Sequence, residues 1–171
     1  MTTRLHNDFY ITQDLLYKPL NFICSSMAPE SEGDTYGACV FKLNNLKIRF
    51  RVAKITPTKT GQFVTLWKRI GTGGPIQPYD ELDAVDFFVI SARDKSDFGQ
   101  FIFPKSILVK KNIFSKNAKG GKLGIRIYPS WDKALNSQAQ KTQEWQSDYF
   151  LNMSINHSIN YVRAGLLYQF S

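Results

Sequence analysis

Residues 36–55, YGACVFKLNNLKIRFRVAKI, decide how the rest of the chain is read. Two β-rich runs meet at Asn44 and Asn45, residue types that accept the tight backbone of a reversal, so the segment predicts a β-hairpin. The second run alternates. Ile48, Phe50 and Val52 fall on one face of the strand, while Lys47, Arg49 and Arg51 fall on the other. A face carrying three cations is expected at the surface, with the opposite face committed to the core. Lys54 breaks the pattern, because strict alternation puts it on the apolar face. Either a bulge shifts the register, or the lysine stem packs inside with its head emerging at the edge of the sheet.

On the N-terminal side of the hairpin, Thr12 can cap a helix through Gln13, Leu15, Leu16 and Leu20, complicated by Pro19, and residues 29–34 form a polar turn. On the C-terminal side, residues 62–69 predict a strand, and residues 71–78 a loop rich in Gly and Pro. The apolar runs 87–91 and 100–103 read as central strands. Pro104 opens a short helix that reaches Lys110. A hairpin tip follows at residues 119–122, then a strand over 124–128. Ser130 is the expected cap of the longest helix, over 131–152, and residues 155–171 could form an amphipathic helix. The sum is a single-domain mixed α/β protein: a central mixed β-sheet with a β-hairpin, flanked by helices, over residues 1–152, with an extension at 153–171.

Charge is distributed more tellingly than its net value of +8. Residues 35–79 hold eight Lys or Arg and no acid, and residues 98–131 hold seven and no acid. Between them, residues 80–97 carry six acids against Arg93 and Lys95. If folding brings the two basic blocks together, their field attracts a polyanion. Rings interleave with these cations, Phe63 and Trp67 beside Lys68 and Arg69, and cations with exposed rings are the two parts of a single-strand binder. Trp67 is the expected stacking residue, whereas Phe101 and Phe103 read as core.

Other chemistry finds little support in the sequence. His6 and His157 stand near opposite ends, no zinc spacing occurs, and neither a metalloprotease helix, a nucleophile elbow nor a phosphate-cradling Walker loop is present. Cys24 and Cys39 sit in apolar surroundings and read as reduced core thiols. No apolar run suits a bilayer span, and the first residues lack an apolar signal core, so a cytoplasmic protein with no membrane partner is expected. Asp80, Glu81, Asp83 and Asp86 precede the apolar strand at 87, where magnesium-dependent nucleases hold their metal. The partner position, Val52-Ala53-Lys54, supplies a lysine and lacks the second acid. Asp83, Asp86 and Lys54 are thus the catalytic candidates of an incomplete nuclease site.

Three segments, KIRFRVAKITPTKTGQFVTLWKR (47–69), QFIFPKSIL (100–108) and GIRIYPSWDK (124–133), in this order and spacing, resemble the MepB family, whose namesake is encoded beside a multidrug efflux pump and its repressor. The resemblance covers roughly residues 15–150. It implies a fold similar to that of the PD-(D/E)xK, restriction-endonuclease-like proteins, with nucleic acid as the proposed partner and no established activity. Residues and resemblance together favour a nucleic-acid-binding protein, for DNA or RNA, that binds without cutting. The expected contacts are Lys47, Arg49, Arg51, Lys54, Lys59, Trp67, Lys68, Arg69, Lys105, Lys119, Lys122 and Arg126. No cofactor is expected. The alternatives are a cryptic nuclease, for which magnesium would be needed, and an accessory protein that docks a partner or a small molecule. On this reading Arg49 and Arg51 are exposed, and replacing both with Gln spares the fold.

Overall fold

The computed structural model of the protein describes residues 4–170. The hairpin forms as the turn residues predict: β2 (Cys39–Leu43) and β3 (Leu46–Val52) pair antiparallel, with Asn44 at φ 53°. They lie inside a six-stranded sheet ordered β1-β2-β3-β8-β9-β11, where β1 is Cys24–Pro29, β8 is Phe87–Asp94, β9 is Asp97–Pro104 and β11 is Phe150–Asn152. Every neighbouring pair in this sheet is antiparallel except β3 with β8. A parallel pair needs a long crossover. Here the crossover spans residues 53–86 and carries β4 (Lys54–Ile55), β5 (Gln62–Thr65), β6 (Trp67–Arg69) and β7 (Ile76–Pro78). With β10 (Gly124–Ile127), β4 and β5 make a second sheet ordered β10-β5-β4, while β6 and β7 form a small ribbon.

Both faces of the large sheet are covered. One carries Phe9, Tyr17, Phe41, Phe50, Val89 and Tyr168, with the helix α1 (Asn7–Thr12) and the C-terminal helix (Tyr161–Leu167). The other carries Phe88, Ile90, Phe101 and Phe103 and is roofed by Val64, Ile125 and Ile127 of the second sheet, with Leu108 and Phe114. This two-sided burial explains why residues 87–92 form one continuous buried run. It also overturns the exposed cationic face. Arg51 is fully buried and Arg49 half-buried, because their face of β3 lies beneath the second core and not in water. Glu30, from the acidic N-terminal region, folds over them and accepts from both guanidinium groups, at 2.6 Å from Arg51 Nη1. Tyr79 Oη accepts from Arg49 and Arg51 as well.

Several boundaries differ from the sequence reading. α1 begins at Asn7, capped by His6 Nδ1, which accepts from Asp8 N–H, and continues as a π-helical turn, Gln13–Tyr17, instead of starting at Thr12. Asp8 anchors this early start, since its buried carboxylate takes the Arg93 guanidinium and the Ser91 hydroxyl. The strand expected over 62–69 breaks at Leu66, whose N–H donates to Leu123 O, so β5 joins β10 and β6 joins β7. No strand enters the turn at 119–122. Lys116 and Lys119 bond to each other, and Gly120 and Gly121 take φ of 75° and 86°. The second helix, α2 (Lys105–Lys110), follows Pro104 as expected.

The longest helix shrinks to α3 (Ser137–Ser147), capped by Asn136 and not by Ser130. Gln143 Nε2 donates to the carbonyls of Tyr128, Pro129 and Asp132, which holds the preceding segment in an irregular path. At the other end, residues 150–152 join the sheet edge, with Phe150 opposite Phe101. The tail helix, α4 (Tyr161–Leu167), docks on the first core: Ala164 and Tyr168 are buried, and the Tyr168 hydroxyl meets that of Tyr17 at 2.6 Å. Cys24 and Cys39 are free thiols at opposite ends of the β1–β2 pairing, and burial pushes Cys39 up to about 12. No helix among the described residues is long and apolar enough to cross a membrane.

Candidate nucleic-acid interface

The second sheet has one face in the core and one toward solvent. On the solvent side, Lys54, Phe63 and Arg126 stand directly opposite one another across β4, β5 and β10. Lys54 reaches this row by neither a bulge nor a buried stem. β3 ends at Val52, Ala53 N–H still donates to Ser91 O, and the chain then steps into the second sheet, leaving Lys54 exposed with Nζ 4.5 Å from the Tyr36 ring centroid.

Arg126 organises the loop beside it. One guanidinium nitrogen donates to Thr56 Oγ1 at 2.7 Å, the other to the carbonyls of Thr60 and Gly61 at 3.4 Å each. The loop can close this tightly because residue 61 is glycine, at φ 82°; a Cβ there would stand 2.7 Å from the Tyr128 ring. Gly124 serves Phe63 likewise, since a Cβ at 124 would meet that ring at 2.7 Å. These two absent side chains leave room for two rings across the sheet.

α3 forms the facing wall. Its Trp145 packs on Phe103 at 5.4 Å between ring centroids, and Lys111, just after α2, lies with Nζ 5.4 Å from the Trp145 centroid. Between sheet and helix runs a groove of about 790 Å³. Lys59, Lys111, Lys122 and Arg126 line it with Phe63, Tyr128 and Trp145, and among the described residues no carboxylate does. None of the four cations forms an ion pair among the described residues, so their field is not neutralised locally.

Of the contacts read from sequence, the structure brings Lys59, Lys122 and Arg126 into this groove and sets Lys54 in the same row of the sheet. The others lie elsewhere. Arg49 and Arg51 are held by Glu30; Lys68 pairs with Asp83 at 2.6 Å; Lys105 Nζ donates to the carbonyls of Glu81 and Asp83. Trp67 is half-buried on the β6–β7 ribbon with Arg69 over its ring at 5.4 Å, away from the groove lining. Lys47 and Lys119 are exposed and line no part of it. Sequence reading missed Lys111, Tyr128 and Trp145. The Lys110-Lys111 doublet closing α2 was the available signal for the first.

The acids do not gather into a metal site. Asp83 accepts from Lys68 and from Asp80 N–H, and Asp86 accepts from Lys47 N–H at 2.8 Å. Asp80 takes the Ser115 hydroxyl at 2.7 Å and the N–H of Leu82; these bonds, the serine's foremost, hold its carboxyl below the ordinary value. Asp86 faces Lys47 at the start of β3 whereas Lys54 follows its end, which separates them by about 20 Å along the strand. Among the described residues no group of three His, Cys, Asp or Glu is placed to hold a metal ion.

Comparison with known proteins places the chain. A family model described as MepB-like matches residues 30–152. A crystal structure of MepB is 31% identical in sequence and superposes with a TM-score of 0.76, covering 90% of this chain and 100% of that one. Among curated proteins none matches. The match over most of the chain and the shared mixed α/β architecture agree with the motifs at 47–69, 100–108 and 124–133: the protein belongs to the MepB-like family.

Proposed function

We propose that this protein binds nucleic acid in the groove between the β4-β5-β10 sheet and α3, holding phosphates with Lys59, Lys111, Lys122 and Arg126. The observation that carries the reading is that, among the described residues, no carboxylate lines the groove, in a chain whose acids elsewhere pair its arginines and lysines. Uncompensated cations on a concave surface attract a polyanion, and phosphates repay their approach by releasing counterions. Lys54, in the row with Phe63 and Arg126, extends the basic track along the sheet.

The reading does not include cutting. Asp83 is taken by Lys68 and Asp80 N–H and Asp86 by Lys47 N–H, and no acid among the described residues lines the groove. A nuclease-like origin of the fold belongs to the same proposal; a mixed sheet with helices on it and a basic groove alongside supports it. A cytoplasmic location is a further part of the proposal.

Fluorescence anisotropy with a labelled oligonucleotide at a series of salt concentrations tests the proposal. With four phosphate contacts the logarithm of the affinity should fall against the logarithm of salt with a slope of about −3 to −4. No binding at low salt ends it.

A further inference from the structure

We infer that the groove selects single-stranded nucleic acid over duplex, stacking unpaired bases on the rings of Trp145, Tyr128 and Phe63 while its cations follow one phosphate backbone. This rests on the function just proposed and adds to it the state of the strand.

Charge alone does not distinguish the two forms, since both present phosphates. The rings do. A paired base in a duplex shows a protein its edges, in one groove or the other, while its faces are covered by its neighbours. An aromatic side chain gains a stacking partner only when bases are unpaired and splayed. Three half-buried rings line this one groove, each fixed from behind. Trp145 is backed by Phe103 and by Tyr149 at 6.4 Å, Phe63 lies over Gly124, and Tyr128 lies against Gly61. Rings held in this way lose little freedom on binding, unlike flexible surface aromatics.

The polar partners fit the same reading. Among the described residues no acidic side chain lines the groove; α3 and its cap form the wall with Asn136, Gln138 and Thr142, polar groups beside the rings. Gln146, also on this wall, is committed internally, accepting from Tyr128 N–H and donating to Arg126 O. That bond pair fixes α3 to β10 and therefore the distance between Trp145 and the cations. Lys111 Nζ lies over the indole of Trp145, so a base stacking there would displace the ammonium toward the adjoining phosphate. Three rings seat about two or three bases.

The experiment measures binding of an oligodeoxythymidine of about twelve nucleotides and of a duplex of equal length, at one salt concentration, to the wild-type chain and to Trp145→Leu. Leucine retains apolar packing against Phe103, and a circular-dichroism melt checks that it folds. The expected result is tighter binding of the single strand, a loss of about tenfold or more for Trp145→Leu on the single strand, and little change on the duplex. Should that variant fail to fold, indole fluorescence of the wild type decides: titration with the single strand should quench it and titration with duplex should not. Equal binding of both forms with no quenching overturns the strand preference and leaves the nucleic-acid reading standing. Failure to bind either form at low salt overturns both.

Discussion

The arginines of β3 and the cations of the groove come alike from the chain's two acid-free basic blocks, yet the fold uses them oppositely. Arg49 and Arg51 lie under the second core, where Glu30 takes both and Tyr79 adds an acceptor. Lys59, Lys111 and Lys122 stand exposed around a groove that no carboxylate among the described residues lines. The difference lies in whether a partner arrives from elsewhere in the chain, and Glu30 arrives from a segment outside the basic blocks. Sign and spacing of charge within a block therefore do not reveal which cations remain free for a ligand.

The largest effect should come from breaking the buried set. Glu30→Gln leaves the fully buried Arg51 without its anionic partner, in a site where burial already pulls its guanidinium below the ordinary value. A buried charge stripped of its partner costs about 3–5 kcal/mol. For a chain of this length that lowers the melting temperature by roughly 10 °C or more. Replacing Arg49 and Arg51 together with Gln should likewise destabilise the protein, because it leaves Glu30 uncompensated and empties packed volume over Phe88, 5.2 Å from the Arg51 guanidinium. A melt unchanged by Glu30→Gln would show that the cluster is wet and that these arginines are available to ligands after all.

Charge removal in the groove should do the reverse. Lys59→Gln with Lys122→Gln touches exposed side chains without ion pairs among the described residues, so stability should stay within about 0.5 kcal/mol. Affinity for nucleic acid should weaken across sequences, and the salt slope should flatten by about two contacts. Read by anisotropy and by thermal melt on the same preparation, the two double variants separate structural cations from binding ones. If Lys59→Gln with Lys122→Gln leaves the slope unchanged, the groove is not the interface.

What could be read without coordinates follows the same division between local and long-range causes. The hairpin at Asn44 and Asn45, the buried run at 87–91 and the helix after Pro104 depend on adjacent residues and were legible. The break at Leu66, the short α3 and the burial of Arg51 depend on Leu123, on Gln143 reaching back to Tyr128 and Pro129, and on Glu30. None of these leaves a periodic trace. The alternation of β3 was read correctly, but alternation says only that two faces differ, and here both are covered. Of the groove's lining, charge points to Lys59, Lys122 and Arg126, whereas Trp145 and Tyr128 lie in segments whose helical or strand pattern gives no sign that they share a groove.

The smallest expected effect concerns the acids that the groove lacks and the turn before β8 keeps. Asp80 is held by the Ser115 hydroxyl, by Leu82 N–H and, more loosely, by Ala118 N–H at 3.4 Å, and its carboxyl titrates below the ordinary value chiefly because of the serine. A carboxylate depressed in the folded state contributes stability above its unfolded value and loses it as pH falls through the folded one. Ser115→Ala should therefore move the Asp80 titration upward toward that of a free aspartate, as carbon-13 carboxyl shifts would report. The stability difference from wild type that belongs to this pairing should be present at neutral pH and vanish once the solution is acid enough to protonate Asp80 in both proteins. Any loss that persists in acid belongs to the buried serine's other contact, its 3.4 Å bond to Tyr79 O. If Asp80 were instead a metal ligand in waiting, freeing it from Ser115 should let added magnesium perturb its carboxyl resonance. The hydrogen-bonded turn predicts that the resonance shifts with pH and is indifferent to magnesium.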